Sequence, residues 1–235
     1  MSVGFPSESK QMTDYGEGLE GDLIKGIARS AEQIADVHAT LTSPRGDFFR
    51  RRLLQLLSGG GLPQEEIENL RKEFGLEESE RHLNKFTGYH LIEPISVGGK
   101  AGYHRTRLGE QAINAVRELE RKIGEERATK IFQSAPGTNS IRLFLKVYGS
   151  PKEPTGEDIV FTPLEIGQLS TFLPRTVEGI AAIDKLDAAG LVSYLDDGNV
   201  HVNPKRSGAF YYYLKRLYQL LLVVRQRGEL GQAQG

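Results

Sequence analysis

Leu62-Pro63-Gln64-Glu65-Glu66-Ile67, Phe74-Gly75-Leu76, Glu80-Arg81-His82-Leu83-Asn84-Lys85-Phe86 and Leu91-Ile92-Glu93 are successive pieces of one stretch. It continues through Val97-Gly98-Gly99-Lys100-Ala101-Gly102-Tyr103 to Arg105-Thr106-Arg107-Leu108-Gly109. Pro63 suits the first position of a helix, on which Ile67, Leu70 and Phe74 share an apolar face. Gly75 supplies a tight turn. A further helix is predicted from about Glu77 to Tyr89, with Leu83 and Phe86 inward and Glu78, Ser79, Arg81, His82 and Lys85 outward. Two strands follow, Leu91–Val97 and Ala101–Arg105, joined at Gly98-Gly99. Thr106 caps the next helix. The order is two short helices, a hairpin and a helix start.

Charge is segregated around this stretch. The net charge is −1, so a basic footprint must be local. Glu65 to Glu80 holds seven acids against Arg71 and Lys72, whereas Arg81 to Arg107 holds five bases against Glu93. The sign turns positive from the second helix to the end of the hairpin.

Upstream, residues 1–18 lack periodicity and are expected to be a disordered tail. Leu19–Leu41 has a mostly helical spacing. Asp47 caps a predicted helix Phe48–Leu57, whose Arg50, Arg51 and Arg52 form either a solvated face or a phosphate contact. Neither Gly59-Gly60-Gly61 nor Val97-Gly98-Gly99-Lys100 is a phosphate-cradling loop, because the required glycine, lysine and hydroxyl spacing is missing. Downstream, a helix is expected from Arg107 to about Gln133, striped by Leu108, Ala112, Val116, Leu119 and Ile123. Such a stripe packs on its own domain or on a second subunit.

Ala135-Pro136-Gly137-Thr138-Asn139 breaks the chain, and the second half repeats the plan. Ser140–Tyr148 is helical. Thr162-Pro163-Leu164-Glu165 is a capping box. Pro174–Ala189 is a helix with Val177, Ile180, Ile183 and Leu186 inward, stopped by Gly190. Leu191–Leu195 and Val200–Val202 are strands joined by Asp196-Asp197-Gly198-Asn199. The last helix, Pro204 to about Arg227, is apolar on nearly every face. Burial on all sides points to a second subunit, with Phe210, Tyr213, Leu214, Leu217, Leu221 and Val224 as dimerisation residues; a purely intrachain role is the alternative. The predicted fold class is mainly α with small β-hairpins (α+β). The expected domains are 19–134 and 138–227, between tails 1–18 and 228–235.

Arg81-His82-Leu83-Asn84-Lys85-Phe86 with Leu91-Ile92, and Ile183-Asp184-Lys185-Leu186-Asp187-Ala188-Ala189-Gly190-Leu191-Val192, fit one pattern twice. Both resemble the end of the recognition helix in winged helix-turn-helix transcriptional regulators of the ArsR, MarR and PadR kinds. Tyr103-His104-Arg105-Thr106-Arg107-Leu108-Gly109 resembles the exit from the wing in the same group. The resemblance covers about residues 48–120 and 140–203. His90 stands where that pattern has glycine and is expected to adopt the left-handed conformation. Glu77, Glu78 and Glu80 depart from the pattern: they favour the helix dipole but oppose a phosphate backbone.

The resemblance implies tandem winged helices that bind double-stranded DNA, with a long connecting helix and a C-terminal helix. Ser79, Arg81, His82, Asn84 and Lys85 would enter the major groove, while Lys100, His104 and Arg105 would reach the adjacent backbone. In the second unit, Arg175, Thr176, Lys205 and Arg206 take the corresponding places. A homodimeric regulator, cytoplasmic and nucleoid-associated, is the expectation. The alternative is a tandem winged-helix interaction scaffold of the kleisin-partner kind.

An enzyme is not expected. The chain has no cysteine, its five histidines (His38, His82, His90, His104 and His201) lack metal-ligand spacing, and no serine lies in a nucleophile elbow. No cofactor or metal is anticipated. No apolar run approaches the roughly 18 residues of a membrane span.

Overall fold

The computed structural model describes residues 20–42, 61–97, 100–150, 158–169, 177–194 and 199–232. The expected helix Phe48–Leu57, the turns at Gly98-Gly99 and Asp196-Asp197-Gly198, Arg175 and Thr176 lie outside the described residues, as do the side chains of Lys100 and Lys205. Among the described residues the chain is mainly helical with two small antiparallel sheets, an α+β arrangement.

Helix α1 (20–29) runs through a turn at Ser30 into α2 (Ala31–Thr42). Strand β1 (Gly61–Pro63) leads directly into α3 (Gln64–Phe74). Pro63 is therefore the cap residue and not the first helical one; its missing N–H costs no helical bond there. Gly75, at φ +86°, turns the chain into α4 (Leu76–Gly88). Strands β2 (Ile92–Val97) and β3 (Lys100–Arg105) form the hairpin, and β1 pairs with the other side of β3. Pro94 is tolerated because β2 is an edge strand.

Thr106 caps α5 (Arg107–Ile123) by accepting the Gly109 N–H at 3.0 Å. All five residues of the predicted stripe on α5 are buried. The helix ends earlier than expected: Gly124 takes φ +87°, and a separate helix, α6 (Glu125–Ser134), begins. A glycine without a clash penalty at positive φ stops a helix that propensity alone would continue. Ala135, also at positive φ, ends α6, and α7 (Thr138–Tyr148) follows.

The second half repeats the order: β4 (Ile159–Phe161), α8 (Pro163–Leu169), α9 (Val177–Ala188), β5 (Val192–Tyr194) and β6 (Val200–Val202). Its sheet order, β4-β6-β5, matches β1-β3-β2. The capping box forms: Glu165 accepts the Thr162 N–H at 2.7 Å, and Thr162 accepts the Glu165 N–H at 3.4 Å. On α9, Gly179, Ala182 and Leu186 face inward and Ile183 is half-buried, but Ile180 is 65% exposed, against its expected inward place.

Helix α10 (Pro204–Gln232) runs past its expected end, so the predicted tail from residue 228 is helical as far as Gln232. It packs along α5 and across α2 and α7. Phe210, Tyr213, Leu214, Leu217 and Leu221 are buried within the chain itself, and Val224 is half-buried against the same core. Phe210 meets Phe144 edge-on at 4.9 Å, and the Tyr213 hydroxyl lies 3.0 Å from His38 Nδ1. Within the single chain these residues pack in the core, where helices of the same chain cover the faces that α10 could not leave in water. The core they fill is continuous. Ile34 and Val37 of α2, Phe144 of α7 and Leu217 of α10 belong to one buried cluster. Residues from both sides of Ala135-Pro136-Gly137 contribute to this cluster.

Candidate functional site

The repeated junction between helix and hairpin builds the candidate site. At the end of α4, the His90 N–H donates to the Thr87 carbonyl and the Leu91 N–H to that of Phe86, each at 2.8 Å. At the end of α9, Gly190 and Leu191 make the same bonds to Asp187 and Leu186, at 2.7 and 3.0 Å. His90 sits at φ 53°, as its place in the pattern required, and Gly190 at φ 65°. This paired closure carries each chain segment from helix to strand in one step. Thr106 Oγ1 then donates to the His90 carbonyl at 2.5 Å, locking the exit from β3 beneath the end of α4.

The expected contact residues of α4 divide. Ser79 is fully buried, and its hydroxyl serves the Leu70 and Gly75 carbonyls at 3.1 and 2.8 Å. It closes the turn between α3 and α4 and is not outward. His82 is also buried, with Nε2 3.0 Å from Glu78 Oε1. Burial pushes the His82 imidazole below its ordinary value, although Glu78 opposes the shift. Lys85 donates to Asp36 at 2.5 Å, and the Tyr89 hydroxyl donates to the other carboxylate oxygen at 2.7 Å. Lys85 is therefore a clamp to α2. The outer face keeps Leu76, Glu77, Arg81 and Asn84. Even Arg81 is paired, with Glu78 at 2.5 Å. From α3, Arg71 joins Glu68 and Glu80. Arg71 and Arg81 are matched by acids of these two helices and Lys85 by Asp36 of α2, and that leaves the surface acidic around Glu77.

The hairpin is the better-equipped part. His104 and Arg105 are half-exposed on β3, and Arg107, which the resemblance did not single out, is exposed just beyond it. Among the described residues neither arginine meets a carboxylate, whereas His104 Nε2 is 3.9 Å from Glu93 on the facing strand. The backbone of Lys100 opens β3.

In the second unit, Lys185 is the only exposed base of α9 among the described residues. Asn203 caps α10 by accepting the Arg206 N–H at 3.2 Å and also donates to Asp158 at 3.2 Å. His201 Nδ1 lies 3.8 Å from the same carboxylate. Arg206 turns inward and donates to the Gly190 carbonyl at 3.3 Å, so it supports the helix end and does not project from it.

No group of three or more metal-ligating side chains occurs among the described residues. No helix among them is long and apolar enough to cross a membrane. No family model, curated protein or solved structure matches this chain.

Proposed function

We propose that the protein is a DNA-binding regulator built on tandem winged helices. The observation that carries this reading is the order helix, strand, helix, helix, hairpin in the second half (α7 to β6), matched from β1 onward in the first, with the first strand paired to the third in both sheets. That arrangement presents α4 and the β2–β3 hairpin together, as groove binding by a helix and a wing requires. Because Ser79, His82 and Lys85 are engaged inside the chain, contact with DNA falls to Arg81, Asn84, His104, Arg105 and Arg107, with Lys100 at the hairpin tip. Most of these would meet phosphates, so binding would be governed by salt more than by base sequence. A homodimer, if formed on α10, would use the face its own chain leaves open, at Leu222 and Val223. Such a regulator would act on the nucleoid in the cytoplasm.

The test is fluorescence anisotropy of the full chain with duplex DNA across a salt series. Affinity should fall with salt at a log–log slope of about −0.9 per phosphate neutralised. Arg105→Ala with Arg107→Ala should reduce the slope by about two contacts' worth. Absence of binding to any duplex at low salt would sink the reading.

The intramolecular pairing of Arg71, Arg81 and Lys85 favours a second reading, a protein-interaction module. Leu76 at 63% and Ile180 at 65% exposure leave an aliphatic side chain outward on each candidate recognition helix. Recovery of a salt-insensitive protein complex, with no DNA binding, would select it.

A further inference from the structure

We infer that the junction between the two halves holds a binding site for a small organic phosphate. A cavity of about 300 Å³ opens between the α5–α6 corner and the start of the second hairpin. Its floor is apolar, formed by Ile123, Ile131 and Leu191, all buried. Its rim carries Arg127 and Lys130 from α6 and Arg206 from α10, against a single acid, Glu126.

Charge decides what fits. Lys130 and Glu126 face each other at 3.4 Å and cancel. Arg127 and Arg206 remain, two guanidinium groups beside a hydrophobic floor. Arg206 spends one nitrogen on the Gly190 carbonyl, which fixes its direction and leaves its other N–H groups for a ligand. Guanidinium forks match the oxygens of a phosphate, and a phosphate monoester at neutral pH carries close to about two negative charges, balancing the pair. The apolar floor calls for an organic body on that phosphate, and a small ring fills a cavity of this size. Gly190, at φ +65°, lies at the cavity rim.

The site does not depend on the DNA-binding reading, and its test does not use it. Calorimetric titration of the full chain with phenyl phosphate, inorganic phosphate and phenol separates the contributions. Phenyl phosphate should bind one per chain, at least tenfold tighter than either fragment, and should raise the melting temperature because it joins both halves. Arg127→Gln, an exposed change, should weaken it at least tenfold with the circular dichroism melt of the free protein unchanged. Glu126→Gln should tighten it. Arg206→Gln should abolish it, but Arg127→Gln decides if that variant is unstable. No binding at millimolar phenyl phosphate, equal affinity for inorganic phosphate, or an Arg127→Gln variant of unchanged affinity would each overturn the proposal. So would a result in which Arg127→Gln lowers affinity for random duplex DNA but not for phenyl phosphate.

Discussion

Lys85 Nζ lies 2.5 Å from Asp36 Oδ1, and this ion pair ties α4 to α2 across the first half of the chain. With the Tyr89 hydroxyl on the second oxygen, Asp36 receives both donors that α4 and its end offer on that side. A lysine expected to meet DNA thus belongs to the scaffold that orients its own helix.

The pair makes stability depend on pH in a definite direction. Burial raises the Asp36 carboxyl, but hydrogen bonds from Lys85 and Tyr89 outweigh it and hold the group below its ordinary value. A carboxyl lowered in the folded state adds stability above its unfolded value, and loses it as pH falls through the lowered one. Both side chains are more than a third exposed, so solvent screening keeps the effect within about 1 kcal/mol. Asp36→Asn should therefore be slightly less stable than the parent at neutral pH, and the difference should vanish in acid. Urea midpoints at several pH values measure this; a constant difference would refute the linkage.

His82 works in the opposite sense to a salt-bridged histidine. Its imidazole stays neutral in the folded chain at pH values where the unfolded chain takes a proton, because burial lowers it from the ordinary 6.5. Stability should be complete above that value and decline as pH drops below it. His82→Gln should flatten the decline between about pH 7 and about pH 5. Proton NMR of the His82 ring should show a midpoint below 6.5; a midpoint above it would contradict the account.

Gly109 is required by contact, not by backbone angle. A Cβ there would lie 2.1 Å from the Leu91 carbonyl oxygen, a backbone atom that already accepts the Thr106 N–H at 3.1 Å. Gly109→Ala should cost about 3 kcal/mol or more, since overpacking against backbone cannot relax by a rotamer change. Chemical denaturation would register it; a loss under about 1 kcal/mol would show that the junction yields.

His90 carries strain that glycine would release. At φ 53° its Cβ crowds the following carbonyl. His90→Gly should raise stability by about 0.5–1 kcal/mol, the gain being reduced by the greater freedom of glycine in the unfolded chain. Thermal melts compare the two proteins, and a fall in melting temperature would show that the imidazole makes a contribution larger than the strain.

The regulator reading has its sharpest consequence at Asn84 and Arg81. They are the polar groups without acidic charge left on the outer face of α4. If α4 reads bases, Asn84→Ala should lower affinity for a preferred site by about 1–3 kcal/mol and leave binding to random duplex nearly unchanged. Equal losses on both DNAs would assign α4 to phosphate contact alone.

Much of the fold was written locally. The spacing of Leu83 and Phe86, the capping box at Thr162 and Glu165, the Thr106 cap and the left-handed turn at His90 depend on neighbours within a few residues, and each was readable from the chain. Where local signals competed, the reading failed. Gly124 divides a helix that its stripe would continue, and β1 and β4 are three-residue strands that exist only because β3 and β6 pair with them. Ile180 shows the same limit: its spacing fits an inward face, but Gly179 and Ala182 turn inward in its place.

Sequence by itself determined the repeated order of helix, helix and hairpin, because helix caps, turn residues and apolar periods act over one or two turns. Only the tertiary structure decided which polar groups remain for a partner. Ser79 is spent on the Leu70 and Gly75 carbonyls, Lys85 on Asp36, and the aromatic face of α10 on α5, α2 and α7. Those partners lie far along the chain or across a turn, and a side chain's outward direction on an isolated helix does not reveal which neighbour will bury or neutralise it.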